Sequence, residues 1–190
     1  EFRKPLLLDS YQNLQPVFDS GAELWLKINA DELRAMTGEA DIRAALRKVF
    51  TFNGIRFAAI TDGPSDAWCG DGTRTAVYHL PELEKVVNPI GCGDTASAVW
   101  MSEILSGTDP FEAFRIALGA ASANCLSAFP GSYDPAEAAR IAAAVTLASP
   151  SPAQSGGNGR QAPGKNDCCR NQNVLSRASK TFQLKLSKST

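Results

Sequence analysis

The residues best suited to chemistry lie in one short stretch, residues 88–98, where two glycines come just before an acidic residue. Gly91 and Gly93 let the backbone turn closely without side-chain interference, and the small residues that follow predict the start of a helix. Backbone amides at such a start together carry about half an elementary positive charge. The amides of Gly91, Cys92 and Gly93 therefore predict a phosphate site.

The acidic residue Asp94 indicates which kind of phosphate site this is. A carboxylate at the mouth of a simple anion site would repel the anion, whereas a base is needed beside a phosphoryl group that is being transferred. We therefore interpret the amides of residues 91–93 as stabilising charge on the phosphoryl oxygens, and Asp94 as taking a proton from an attacking hydroxyl. The alternative is a plain glycine turn in which Asp94 caps the helix.

The elements that must position this stretch begin as alternating strands and helices. Apolar runs and helical spacing predict, in order, a strand at residues 5–9, a helix ending near 19, a strand at 23–28, helices at 31–37 and 41–52, and a strand at 55–61. This order is typical of a parallel sheet and of the α/β fold class. Two weaker strands, 67–69 and 74–80, flank a turn at residues 70–72.

Beyond Gly93 the pattern is helical. A helix is predicted from Asp94 to Leu105, and two later helices begin with an acid followed by proline, at residues 109–110 and 134–135. In each of these pairs the acid is suited to the N-cap and the proline to the first helical position. We expect residues 94–148 to be entirely helical.

These motifs together resemble the ribokinase-like (PfkB) family of carbohydrate kinases. Residues 91–94, Gly-Cys-Gly-Asp, sit where that family has a Gly-Ala-Gly-Asp signature. Three further matches occur in the family's order. Residues 27–32 resemble its Lys-Pro-Asn-x-x-Glu element, residues 61–63 resemble the loop along the nucleotide, and residues 118–124 resemble the helix beside the adenine pocket. The resemblance covers nearly all of residues 3–148.

The resemblance implies a three-layer α/β/α fold, of which this chain is the C-terminal half, with ATP and Mg²⁺ as cofactors. It implies the following roles: Asp94 as base; Gly91, Cys92 and Gly93 as the anion hole; Thr61, Asp62, Gly63, Gly93, Asn29 and Gly119 at the nucleotide; and Asn29 and Glu32 near magnesium through water. Asn88-Pro89, in place of the more widespread Asp-Thr, is closest to the branch that includes 1-phosphofructokinase and tagatose-6-phosphate kinase. The implied partners are a sugar or phosphosugar and, in the complete protein, a second copy as a homodimer.

Two alternatives to an active kinase remain open. Members of this family bind sugar mainly through an N-terminal half that precedes the part seen here, so the chain could be a nucleotide-binding fragment without catalysis. The other alternative is dinucleotide binding, because Gly91-x-Gly93-x-x-Ala96 matches G-x-G-x-x-A and Glu112 follows at a suitable distance. That fingerprint requires a strand before the glycines and a strand with the acid after the helix.

Composition divides the chain in two. The whole chain has 19 basic and 20 acidic residues, yet the tail from Ser149 has seven basic residues against one acid. We expect residues 1–148 to be the kinase domain and residues 149–190 to be a disordered tail, because the tail has too few apolar residues to form a core. The chain has no apolar run long enough for a membrane span and no nucleic-acid motif, so we expect neither a membrane nor a nucleic acid as a partner. Its five cysteines show no zinc or disulfide spacing, which favours a reducing compartment, and we therefore expect a cytoplasmic protein.

Overall fold

A computed structural model describes residues 6–8 and 14–148, and all of them lie in one compact unit, Glu1–Ser151. The middle layer is a six-stranded sheet in sequence order, formed by β1 (Leu6–Leu8), β2 (Leu24–Asn29), β3 (Ile55–Thr61), β4 (Ala67–Gly70), β5 (Thr75–His79) and β6 (Thr146–Leu147). Strands β1 to β3 are parallel, and β3 to β6 are antiparallel. The predicted parallel sheet and the predicted hairpin are both confirmed.

Helices cover both faces of this sheet. They are α1 (Gln15–Phe18), α2 (Ala30–Thr37), α3 (Ile42–Val49), α4 (Cys92–Leu105), α5 (Pro110–Cys125) and α6 (Pro135–Ala144). Side chains alternate along β2, as strand geometry requires: Leu24, Leu26 and Ile28 pack with α2 and α3, whereas Trp25 packs with Trp100 and other residues of α4 and α5. The result is a three-layer α/β/α arrangement, which confirms the predicted fold class.

The starts of α5 and α6 form as their sequences predict. Asp109 is the N-cap of α5, and its carboxylate accepts hydrogen bonds from the two amides of Phe111 and Glu112 at 3.0 and 3.3 Å. Asp134 caps α6 in the same way, through the Ala136 amide at 2.9 Å. Each cap is followed by proline, which has no amide hydrogen to satisfy.

The prediction that residues 94–148 are entirely helical is wrong at its end. Helix α6 ends at Ala144, Val145 is extended, and Thr146 and Leu147 pair with His79 and Tyr78 of β5. A two-residue strand has too little periodicity to be read from sequence, and it forms here because the edge of β5 offers backbone partners. The start of the region also differs, because α4 begins at Cys92 and not at Asp94.

Two further expectations concern the C-terminal tail and the absence of a membrane span. The predicted disordered tail, residues 149–190, lies outside the described residues, so the proposed boundary at Ser149 stays a prediction. Within residues 6–8 and 14–148, none of the helices is long and apolar enough to cross a bilayer.

Candidate active site

The start of α4 is built on a tight bend, here called the glycine turn (residues 89–93). Gly91 is the N-cap, with a left-handed φ of 82°, and a Cβ on it would lie 3.0 Å from Cβ of Pro130. Both facts require glycine. No side chain caps this helix. The Cys92 amide makes a long bond of 3.4 Å to the Pro89 carbonyl, and the amides of Gly91, Gly93 and Asp94 donate to no acceptor among the described residues. Within α4 itself, the two amides of Gly93 and Asp94 are therefore open to a bound anion.

Asp94 is the third residue of α4 and is exposed. Its carboxylate makes no hydrogen bond and no ion pair with any residue in the described part of the chain. The alternative reading of Asp94 as an N-cap is wrong, because Gly91 occupies that position. An acid in the first helical turn that caps nothing is free to accept a proton from a ligand.

Lys27 connects β2 to the glycine turn. This side chain is only 3% exposed, and its Nζ lies 3.5 Å from the position that a Cβ on Gly93 would occupy. The side-chain nitrogen of Lys27 places a further hydrogen-bond donor beside these amides. Sequence reasoning assigned Lys27 no role of its own. The available signal was a charged residue inside the otherwise apolar strand Leu24–Asn29.

Asn124 holds the glycine turn against the end of α5. It is 0% exposed, and its Nδ2 donates to the Ile90 carbonyl and to Sγ of Cys92, each at 3.1 Å. Its Oδ1 accepts from the Gly131 amide at 2.7 Å. A buried amide side chain with all of these partners fixes two loops to one helix. Asn124 is thus a structural support of the site that its sequence pattern did not reveal.

The predicted magnesium residues Asn29 and Glu32 form a capping box at the start of α2. Oδ1 of Asn29 accepts from the Glu32 amide, and Oε2 of Glu32 accepts from the Asn29 amide, both at 2.9 Å. Oε1 of Glu32 has no partner among the described residues. No group of three or more His, Cys, Asp or Glu residues in that part of the chain is arranged so that it could hold a metal ion. One free carboxylate oxygen fits Mg²⁺, which commonly keeps most of its water and takes few protein ligands.

The predicted nucleotide residues are only partly brought together. Thr61 pairs with Asn29 across β2 and β3, so residues 61–63 begin at the same carboxyl edge of the parallel strands where ligands bind in open α/β sheets. Gly119 lies within α5. A Cβ on it would come within 2.5 Å of the Ala138 carbonyl and of Cβ of Ala142, so α6 fills the space beside it. Helix packing accounts for Gly119, and its contact with a nucleotide stays a prediction.

The dinucleotide alternative finds no support in this geometry. Residues 80–90 contain no strand, and α4 is followed by α5. The proposed ribose-binding acid, Glu112, instead accepts from Nε of Arg115 at 2.8 Å, and hydrogen bonding to this guanidinium lowers the pKa of its carboxyl.

The fold is a three-layer α/β/α arrangement, and its uncapped, glycine-rich helix start beside a buried lysine is suited to binding a phosphate group. The family described as pfkB family carbohydrate kinase matches residues 6–137. The chain therefore belongs to the pfkB family of carbohydrate kinases, as its motifs predict. A search of curated proteins finds no significant match.

Solved structures share the fold at low sequence identity. A putative phosphofructokinase from Staphylococcus aureus matches with a TM-score of 0.60 at 20% identity, over 76% of this chain and 57% of that chain. Phosphofructokinase-2 from Escherichia coli, in complex with substrates and products, gives 0.63 at 20% identity, over 73% and 46%. A probable sugar kinase from Rhizobium etli CFN 42 gives 0.59 at 17% identity, over 73% and 44%. The chain spans about half the length of these structures.

Proposed function

We propose that this chain carries the phosphoryl-transfer site of an ATP-dependent carbohydrate kinase. ATP donates its γ-phosphoryl group to a hydroxyl of a sugar or phosphosugar, and Asp94 accepts the hydroxyl proton. The observation that carries the proposal is the start of α4, where two amides without acceptors, a carboxylate without a partner and a buried lysine come together. Asn88-Pro89 favours a phosphosugar substrate of the 1-phosphofructokinase type.

The chemistry follows from the fixed positions of these groups. The amides of Gly93 and Asp94 and the ammonium of Lys27 stabilise negative charge on the transferred group, because donors that are already oriented need little reorganisation. Asp94 is exposed, so the proton that it accepts can pass on to solvent. The Asp94 carboxylate also repels a bound phosphate, and a role in proton transfer would account for that cost.

Magnesium and the nucleotide are assigned to the neighbouring strand ends. Mg²⁺ supplies charge neutralisation on the phosphate oxygens when it is bound. Glu32 would hold it through its free Oε1 and water, with the capping box of Asn29 fixing the orientation of that carboxylate. Thr61, Asp62 and Gly63 are proposed to lie along the nucleotide.

The second candidate is nucleotide binding without phosphoryl transfer. It is favoured by the extent of the chain, which covers 44% to 57% of the similar structures described above. Orientation of the two reactants contributes about 7–11 kcal/mol to such reactions, so a site without its sugar contacts would be a poor catalyst.

Phosphofructokinase-2 from Escherichia coli has a tetrameric inhibited form. A homodimer and a cytoplasmic location for the present protein are proposals.

Binding and transfer are measured separately to distinguish the candidates. The full chain is titrated calorimetrically with Mg-ATP and with NADH, and ADP release is followed with fructose 1-phosphate, fructose 6-phosphate and tagatose 6-phosphate. ATP binding with ADP release supports the kinase, and ATP binding alone supports the second candidate. Preference for NADH over ATP would refute both.

Substitution of the base is the sharper test. Asp94→Asn should lower kcat by about 10²–10⁴ while Mg-ATP affinity stays equal or increases, because the variant loses the base and also loses a charge that repels phosphate. Asp134→Asn is the matched control, since it changes an acid to an amide that also caps helices well. Unchanged turnover, or a more than threefold loss of ATP affinity in Asp94→Asn, would contradict the assigned role.

A further inference from the structure

Two cysteine thiols meet at the base of the glycine turn. Cys92 is the first residue of α4 and Cys125 is the last residue of α5, and their sulfur atoms lie 2.6 Å apart. A disulfide bond is about 2.05 Å long, so the two sulfur atoms need to approach by only about 0.5 Å to bond. The third cysteine in the described part of the chain, Cys69, is fully buried in β4 with no sulfur partner there.

The backbone around both thiols holds them in this position. The amides of Val87 and Asn88 both donate to the Cys125 carbonyl, at 2.8 and 3.1 Å, and Nδ2 of Asn124 donates to Sγ of Cys92 at 3.1 Å. The pairing of the sulfurs therefore follows from the same contacts that place the glycine turn on α5. Both cysteine residues are half-buried.

We propose that Cys92 and Cys125 form a reversible disulfide with a small-molecule disulfide such as oxidised glutathione as the oxidant, and that this bond weakens ligand binding at the glycine turn. The first part stands on the sulfur geometry alone. The second part rests on the function proposed above, because it requires the turn to bind the phosphates of ATP.

The exchange balances as two thiol–disulfide steps. The Cys92 thiolate attacks one sulfur of glutathione disulfide and expels one glutathione thiolate, which leaves a mixed disulfide on Cys92. The Cys125 thiol then loses its proton, its sulfur attacks Sγ of Cys92, and the second glutathione leaves as a thiolate that takes up a proton. The protein loses two electrons and two protons, and the glutathione disulfide becomes two glutathione thiols.

The two thiols have different roles in the exchange. Burial, followed by the hydrogen bond with Cys92, raises the pKa of Cys125 to about 12. Cys125 therefore stays protonated at neutral pH, which assigns the first attack to Cys92 and the resolving step to Cys125. Cys69 is protected further, because burial raises the pKa of its thiol strongly.

The bond would act on the site through small displacements. Closing the sulfur gap draws the first residue of α4 towards α5, and it replaces the thiol that accepts from Asn124 with a disulfide sulfur. The neighbouring amides of Gly93 and Asp94 move with that residue. Sub-ångström errors in the position of such donors are enough to weaken an anion site, because hydrogen bonds depend steeply on distance and angle.

Peptide mapping tests the bond directly. Tryptic cleavage places Cys92 in residues 86–115, Cys125 in 116–140, Cys69 in 57–74, and Cys168 and Cys169 together in 166–170. The full chain is equilibrated with glutathione disulfide, free thiols are alkylated in denaturant, and the digest is analysed by mass spectrometry. We expect a linked peptide 86–115/116–140 that disappears with dithiothreitol, and an alkylated peptide 57–74.

Two variants complete the experiment. The linked peptide should be absent in Cys125→Ser and retained in a Cys168→Ser/Cys169→Ser double variant. Free Cys92 and Cys125 after oxidation, or Cys92 linked only to the tail cysteines, would overturn the disulfide. The bond should also raise the Tm of the oxidised wild type by roughly 5–10 °C relative to oxidised Cys125→Ser, because it closes a loop of more than 30 residues.

The functional part is read from Mg-ATP affinity. Oxidation should raise Kd threefold to tenfold in the wild type and leave Kd unchanged in Cys125→Ser, whose reduced form should bind like the reduced wild type. Equal Kd values for oxidised and reduced wild type would refute the effect on the turn. If the reduced wild type fails to bind ATP, the proposed function and this effect both fall, while the peptide map still decides the disulfide.

Discussion

The starts of α5 and α6 differ from the start of α4 in how they satisfy their own backbone. Asp109 and Asp134 each accept the first amides of their helices, and each is followed by proline. At α4 the N-cap is Gly91, no side chain caps the helix, and two amides are left without acceptors among the described residues.

The two regions also use glycine differently. Gly119 in α5 faces the backbone of α6, whereas the space beside Gly93 contains only the end of the Lys27 side chain, at 3.5 Å from a Cβ position. At Gly119 the protein fills this space itself. At α4 it leaves amides, a carboxylate and open space together, and this is what distinguishes a ligand site from a structural helix start.

The largest expected effect of substitution is in the filled region. Gly119→Ala should destabilise the fold by about 3 kcal/mol, because its Cβ would come within 2.5 Å of the Ala138 carbonyl and α5 and α6 must separate. Urea unfolding followed by circular dichroism measures this. The experimental margin in the free energy of unfolding is about 0.5 kcal/mol. A Gly119→Ala variant within that margin of the wild type would contradict the close packing of α5 on α6.

Local signals explain why some elements of this fold could be predicted. Strand β3 was predicted with its observed bounds, Ile55–Thr61, since five of its seven residues are apolar. The caps of α5 and α6 were predicted because the Asp-Pro pair is itself the signal. Strand β6 has two residues and depends on a partner about 70 positions earlier in the chain. No local pattern could reveal it.

The residues of the candidate site also divide into those that a local sequence pattern reveals and those that only folding brings together. The glycines and Asp94 were predicted because they are consecutive in sequence. Lys27 approaches Gly93 from another strand, and Asn124 reaches the glycine turn from the far end of α5, so their contacts exist only in the folded chain. The nucleotide contact of Gly119 stays a prediction, because it came from a motif match and the fold shows only that α6 packs closely against this glycine.

Asn124 connects the two regions and gives the next effect in size. Asn124→Ala leaves the Ile90 carbonyl and the Gly131 amide without their side-chain partner, which should cost about 2 kcal/mol of unfolding free energy. Mg-ATP affinity should fall as well, because the glycine turn loses its support. Asn53→Ala is the control. Asn53 lies just before β3, and its substitution removes a single hydrogen bond, the one to the Phe18 carbonyl. An Asn124→Ala variant no less stable than this control would show that Asn124 does not support the turn.

Gly93→Ala tests the open region with little cost to the fold. Its Cβ would meet only Nζ of Lys27 at 3.5 Å, and alanine is a better helix former than glycine, so stability should change by less than about 1 kcal/mol. The added methyl group occupies the space beside two amides and the ammonium, and we expect Mg-ATP affinity to fall at least about tenfold, or about 1.4 kcal/mol. Calorimetric titration beside a urea curve gives both values. A stable variant that binds ATP normally would remove this space from the proposed site.

The smallest expected effect comes from comparing two carboxylates. Asp71 accepts hydrogen bonds from the protein, and Asp94 accepts none from the described residues. Asp71, in the β4–β5 turn, accepts from the amides of Thr73 and Arg74 at 2.9 and 2.8 Å, whereas Asp94 accepts from no described residue. Partial burial raises the pKa of Asp71, but the hydrogen bonds from Arg74 and Thr73 outweigh it and lower the pKa from 3.8 to about 2.

A carboxylate with a lowered pKa stabilises the fold above its unfolded pKa, and that contribution is lost as the pH falls from 3.8 through about 2. Because the turn is near solvent, we expect the wild type to lose about 1 kcal/mol more than Asp71→Asn between pH 5 and pH 2. Urea unfolding of both proteins across this range measures the difference. The wild type should also lose more stability than Glu112→Gln as the pH falls, because the hydrogen bond from Arg115 lowers the pKa of the Glu112 carboxyl. Parallel curves for the wild type and Asp71→Asn would mean that the turn does not hold this carboxylate in its charged form.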